Sequence, residues 1–173
     1  RFGFRPDQML LDLARKMGGS CPELAKERVG EEWLKWSSKS RYPAQSLEFL
    51  RDSGWIRHFP ELAQVIDVPQ DPEWHPEGDV FRHTMHCCEA LVNLPEWENA
   101  EASDRTVYLL AVLLHDIGKA STTDHVMKQG RMRVVSPGHE RVSAEMASQF
   151  FERIGISKAI EDRVIPLIAN HMV

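Results

Sequence analysis

Five side chains with metal-ligand chemistry are spread along the second half of the sequence: His83, the dipeptide His115-Asp116, His139 and His171. Neutral imidazole and ionised carboxylate in one cluster suit a divalent transition ion (Mn, Fe, Co, Ni or Zn), and so few carboxylates argue against Ca. His115-Asp116 stands in "LLHDIGKASTT", directly after the apolar run "VYLLAVLL". A carboxylate and an imidazole buried side by side are costly without partners, and one metal ion satisfies both. A single inward histidine is ordinarily a hydrogen-bonded core residue. Four of them with an aspartate, on four successive helices, point to a shared site.

Ligands to one site must lie on the core side of their helices, which projection at about 100° per residue tests. In "VFRHTMHCCEALVNL", His83 shares a stripe with Cys87, Ala90, Leu91 and Leu94, opposite Arg82, Glu89 and Asn93, while His86 falls on the border beside Asn93. His139 aligns with Val142, Met146 and Phe150, opposite Glu145, Gln149 and Glu152, and His171 extends the stripe Ile160, Val164, Leu167, Ile168. These patterns predict helices over 80–94, 104–118, 139–154 and 158–172. His58, His75 and His125 stand in loop-like stretches and read as surface or turn residues.

If the helix over 104–118 continues one residue further, Lys119 reaches the face of His115 and Asp116 and can neutralise a phosphate. It also suits a solvated helix end, where a lysine complements the dipole. Arg131 and Arg133 alternate along "VMKQGRMRVVSPG", a small hairpin about Gln-Gly or an extended loop, and are candidates to face substrate, although such a pair is more often simply surface. The "SPGH" segment opens a helix at His139 whose free N–H groups offer an additional anion site.

Upstream, "RPDQMLLDLARKMGG", "CPELAKERVGEEWLKWSSKS" and "YPAQSLEFLRDSGW" each carry a proline near the start, as helices do. The reading is all-α: a small helical module over 1–60, a Pro-rich connection over 61–79, and a helical bundle over 80–173. Residues 1–60 hold 11 Lys and Arg against 8 Asp and Glu, and residues 61–173 hold 10 against 18. The acidic part suits a cation and does not by itself grip a phosphate backbone; the basic part could touch RNA. The longest apolar run, Val107 to Leu114, is far short of the roughly 20 residues of a membrane span, and "RFGFRPDQ" lacks a signal-peptide layout, so the cytoplasm is the default location. Cys21, Cys87 and Cys88 fit no zinc or disulfide pattern and read as reduced structural thiols.

"GDVFRHT", "LLAVLLHDIGKASTT", "GRMRVVSPGHE" and "VIPLIANHM" resemble the HD-domain superfamily of metal-dependent phosphohydrolases, in the version found in bacterial CCA-adding tRNA nucleotidyltransferases. "RFGFRPD", "LAKERVGEEWLKW" and "FLRDSGWIRHFPEL" are similar to the helical neck of those enzymes. The resemblance implies that His83, His115 and Asp116 hold one ion, with Asp116 bridging to a second held by His139 and His171. Mg is also compatible. It implies Asp116 and Lys119 as catalytic residues in hydrolysis of nucleotide or RNA-terminal phosphoesters, 2′,3′-cyclic phosphates included, by in-line attack of an activated water, with tRNA as a further partner. The alternative it leaves is a tRNA-docking neck and body with a vestigial site. In that superfamily an aspartate beyond the last histidine usually completes the first site, and none lies between His171 and Val173; with the "RFGF" opening, this favours a segment of a longer protein. No Gly-rich strand-turn with paired aspartates is present, so nucleotide addition by this stretch is not expected.

Overall fold

The computed structural model describes residues 5–18 and 25–173. Helices carry the architecture, and the one sheet among the described residues is a two-stranded hairpin. The first part contains α1 (Gln8–Gly18), α2 (Lys26–Lys39), α3 (Pro43–Asp52), a 3-10 turn (Trp55–His58) and α4 (Pro60–Ala63). Pro43 and Pro60 occupy first turns, where a fixed φ helps and the missing N–H is no loss. The expected starts of the neck ("RFGF") and of the second helix, with Cys21, fall largely on residues 1–4 and 19–24, outside the described residues.

The connection after α4 has no long element but is tied down. Val80 N–H donates to the Val68 carbonyl, 3.0 Å away. The Asp79 carboxylate accepts from Asp67 N–H at 2.9 Å and from Arg82 N–H at 2.7 Å, capping α5 (Val80–Val92). Helix α5 stops two residues earlier than projected, and Pro95 opens α6 (Pro95–Asn99), which the sequence reading lacks.

Helix α7 (Ala102–Leu114) ends four residues before the projected 118. The chain must turn there because Gly118 lies against the start of α9: a Cβ on Gly118 would stand 2.5 Å from the His139 carbonyl oxygen and 2.7 Å from Ser143 N. A short α8 (Lys119–Thr122) leads to β1 (Asp124–Lys128) and β2 (Arg131–Val135), antiparallel with Val126 opposite Arg133. Gln129 and Gly130 both have positive φ, 52° and 74°, the conformation of a tight two-residue hairpin turn. Of the two expectations for this stretch, the hairpin forms. Helices α9 (His139–Ile154) and α10 (Lys158–Ala169) close the fold. Helix α10 ends three residues short of 172; Pro166 has already removed one N–H from its last turn, and His171 lies in the following turn.

One apolar core runs through the molecule, with Leu47 of α3, Leu62 of α4, Phe81 of α5, Leu110 of α7, Phe150 of α9 and Ile168 of α10 all buried. Trp33 of α2 stands edge-on to Phe59 at 5.1 Å and to Phe150 at 5.6 Å. At Gly30, α2 meets the end of α9 so closely that a Cβ would lie 2.4 Å from the Ile154 carbonyl oxygen. The proline-rich connection therefore divides the sequence without dividing the core. Two projected stripes need correction. Ala90, Leu94 and Leu167 are exposed, and α5 instead buries Phe81, Thr84, Met85 and Cys88. His83 and Cys87 lie on the flank of that buried stripe, half-buried. Among the described residues no helix is long and apolar enough to cross a membrane.

Candidate metal centre

Three of the four inward histidines sit at helix ends. His115 follows the last residue of α7, His139 is the first residue of α9, and His171 lies just past α10; His83 comes from the first turns of α5. They converge on Asp116, which is 2% exposed. His115 Nε2 stands 3.1 Å from Asp116 Oδ2, and His83 Nε2 stands 3.7 Å from the same oxygen. On the other oxygen, Oδ1, His139 Nε2 lies at 3.1 Å and His171 Nε2 at 3.6 Å. The two oxygens of one carboxylate thus each face a pair of imidazoles.

The opposite ring nitrogens fix what those Nε2 atoms are. His115 Nδ1 donates to the Val112 carbonyl, His139 Nδ1 to the Ser136 carbonyl and His171 Nδ1 to the Ile168 carbonyl, each at 2.7 Å. His83 Nδ1 donates to Glu77 Oε1 at 2.6 Å. A carbonyl or carboxylate oxygen only accepts, so Nδ1 carries a hydrogen in all four rings, and a ring in its neutral form turns its Nε2 lone pair toward Asp116. Lone pairs converging on a buried carboxylate repel unless a cation lies among them. Two observations match that need: Asp116 Oδ1 is buried with no hydrogen-bond donor, and His139 Nε2 lies only 3.1 Å from His171 Nε2. The donor set fits a divalent transition ion, with the Nδ1 partners holding each ligand in orientation.

Burial alone would raise the Asp116 carboxyl, but the imidazoles of His115, His139 and His171 outweigh it and hold the group well below the usual carboxylate range. The His171 imidazole is raised, first by the Asp116 carboxylate it faces and against its own burial, so an ion entering this corner competes with a proton for it. Burial lowers His83 despite its Glu77 partner, which keeps this ring in the neutral, ligating form. Glu77 itself is pushed up by burial, yet its backbone N–H, His83 and His75 bring it down to about 2.

Lys119 does not extend α7, since a turn intervenes, yet its Nζ reaches Asp116 Oδ2 at 2.8 Å and donates to Gln70 Oε1 at 2.9 Å. Arg133 pairs with Asp71 at 3.0 Å and Glu73 at 2.5 Å, so its charge is committed to the connection segment; Arg131 is exposed on the hairpin. His86, His58 and His125 are exposed. His75 departs from its surface reading: half-buried, it donates to Glu77 Oε1 at 3.1 Å, and its ring centre lies 4.6 Å from that of His83. Glu77, Gln70 and Cys87 at the site's edge were not foreseen as site residues. Glu77 and Gln70 lie in an irregular stretch with no period to project, and Cys87, on the projected stripe of His83, reads from the sequence as a reduced structural thiol. The spacing of Cys87 four residues after His83 was the one signal available.

A family model described as "HD domain" matches residues 81–173. Over 98% of its length the chain is similar to multifunctional CCA proteins: 31% identical to that of Halorhodospira halophila, 31% to that of Psychromonas ingrahamii and 27% to that of Vibrio cholerae. It spans 38% of the first two and 39% of the third, about two fifths of the relatives' length. No solved structure matches it. With His83, His115, Asp116, His139 and His171 gathered at one point inside the matched segment, the chain belongs to the HD-domain family.

Proposed function

We propose that this chain is a metal-dependent phosphohydrolase module, acting on nucleotide or RNA-terminal phosphoesters, 2′,3′-cyclic phosphates included, as the C-terminal part of a CCA-type tRNA nucleotidyltransferase. The observation that carries the reading is the convergence of four imidazole Nε2 atoms on the two oxygens of the buried Asp116. His83, His115 and Asp116 Oδ2 would hold one ion, and Asp116 Oδ1, His139 and His171 a second. A divalent ion in this place supplies Lewis acidity toward phosphoryl oxygens and activates water near neutral pH. The chain's own residues do the rest. The Nδ1 contacts keep each imidazole in one tautomer, the apolar core beneath Asp116 excludes bulk water, and Lys119 places a positive charge beside the acceptor oxygens where negative charge would build up. The resemblance to CCA-adding enzymes, which the similarity to multifunctional CCA proteins supports, makes tRNA the partner we propose for the longer protein.

The test is hydrolysis of a 2′,3′-cyclic nucleotide and of a chromogenic phosphodiester with Mn, Co and Ni supplied in turn. Turnover that chelation removes and Asp116→Asn abolishes is expected. Lys119→Ala should lower kcat by about 10²–10³-fold with the metal retained. No turnover with any ion, alongside intact tRNA binding, would transfer the case to a docking body with a vestigial site.

A further inference from the structure

Beside the imidazoles stands a donor of another kind. Cys87 Sγ lies 3.3 Å from His83 Nε2, and Cys87, His83 and His115 each present a ligand atom within 4.8 Å of the other two. We infer that Cys87 is a metal ligand, completing with His83, His115 and Asp116 Oδ2 a four-donor set of one sulfur, two nitrogens and one oxygen. The inference rests on the metal-binding reading above and deepens it.

Three edges of the set carry the geometry. A tetrahedral ion with sulfur at ~2.3 Å and nitrogen or oxygen at ~2.0 Å separates its donors by about 3.3–3.5 Å. The sulfur–nitrogen edge Cys87–His83 is 3.3 Å, and the nitrogen–oxygen edges His115–Asp116 and His83–Asp116 are 3.1 and 3.7 Å. The sequence explains why the thiol is there: four residues along α5 is one turn, so His83 and Cys87 stack on the flank of the buried stripe. The neighbouring Cys88 is 0% exposed and points into the apolar core. Without an ion, the Cys87 thiol is the donor that His83 Nε2 can accept from, because His83 Nδ1 already gives its hydrogen to Glu77. When an ion binds, the thiol loses its proton to solvent as the sulfur–metal bond forms. A thiolate in place of an oxygen donor shifts the preference of this position toward thiophilic ions, Zn and Co over Mn and Mg.

Cobalt(II) alone is the probe, added to the whole chain under reducing conditions. The wild type should show the near-ultraviolet sulfur-to-cobalt charge-transfer band together with the visible bands of bound cobalt. Cys87→Ser should lose the charge-transfer band, keep the visible bands, and bind Co and Zn about 10–100-fold more weakly while Mn affinity changes little. Cys88→Ala, with its fold checked by circular dichroism, should keep both sets of bands. Bound cobalt without the charge-transfer band in wild type, or with that band intact in Cys87→Ser, overturns the role of Cys87 and leaves the metal site standing. Failure of the wild type to bind cobalt at all overturns both.

Discussion

Single side chains decide the site through the hydrogen that each Nδ1 gives away. Replacing Glu77 by Gln leaves the shape of its contact with His83 but removes the charge that favours the Nδ1–H tautomer, so metal affinity should fall about 10–100-fold with little change in helix content; equilibrium dialysis against zinc measures it. His171 supplies the pH dependence. Its folded-state value is raised above 6.5 by Asp116, so in the metal-free protein the protonated pair stabilises fully below about 6.5, and that contribution is lost as pH rises through the raised value. A bound ion competes with the same proton, so its stabilisation must grow over the same interval. Melting of metal-free protein should therefore fall in temperature from pH 6.5 upward, that of loaded protein should rise relative to it, and His171→Gln should flatten the metal-free slope. A metal-free slope of the opposite sign would refute the shared proton. The sequence singled out His83, His139 and His171 by helical projection, and His115 with Asp116 as a polar pair closing an apolar run, although only His139 lies fully buried within a helix. It hid Glu77 and His75, which reach the site from a stretch without periodicity, where proximity is set only by the tertiary path.

Elements place these side chains by their ends. Projection found the four long helices of the second part but misjudged where three of them stop, at Val92, Leu114 and Ala169, because stopping points here depend on contacts between elements. The turn after α7 is the clearest example: Gly118 N–H donates to Ser143 Oγ at 2.9 Å, and its missing side chain lets α9 begin within reach of Asp116. Gly118→Ala forces a methyl against the His139 backbone, so it should cost about 1–3 kcal/mol in chemical denaturation. It should also weaken metal binding by moving His139, although alanine itself touches no ligand atom. Gly130→Ala, in the hairpin turn, faces open space but has a φ of 74°; it should cost stability through backbone strain while leaving metal affinity unchanged. Comparing the two separates a glycine that positions the site from one that only turns the chain. The sequence offers Gly130 as the turn of a hairpin, one of two readings of its stretch, but presents Gly118 as the end of a helix and gives no sign of its close approach to α9.

Across the whole molecule, the shared core sets how the parts respond to one another. Reading the sequence as a neck and a bundle placed the boundary at a real change in composition, but Trp33, Phe59 and Phe150 lie in contact across it, and α2 packs on both α7 and α9. Interdigitation of this kind couples unfolding, because no part can open without exposing the others' apolar surface. Tryptophan fluorescence, dominated by residues of the first part such as Trp33 and Trp36, should therefore lose its folded signal in the same transition as the helix signal from circular dichroism. Leu47→Ala, a truncation in α3 well outside the HD-matched segment, should lower that single transition by about 2–5 kcal/mol. Zinc at about 100 times its Kd should raise the transition by ~2.7 kcal/mol whichever probe is followed, since an ion that binds only the native state stabilises everything that unfolds with the site. If the tryptophan transition stays fixed while the helix transition moves with zinc, the first part is a separate module after all, and the contacts of Trp33 with Phe150 contribute packing without cooperativity.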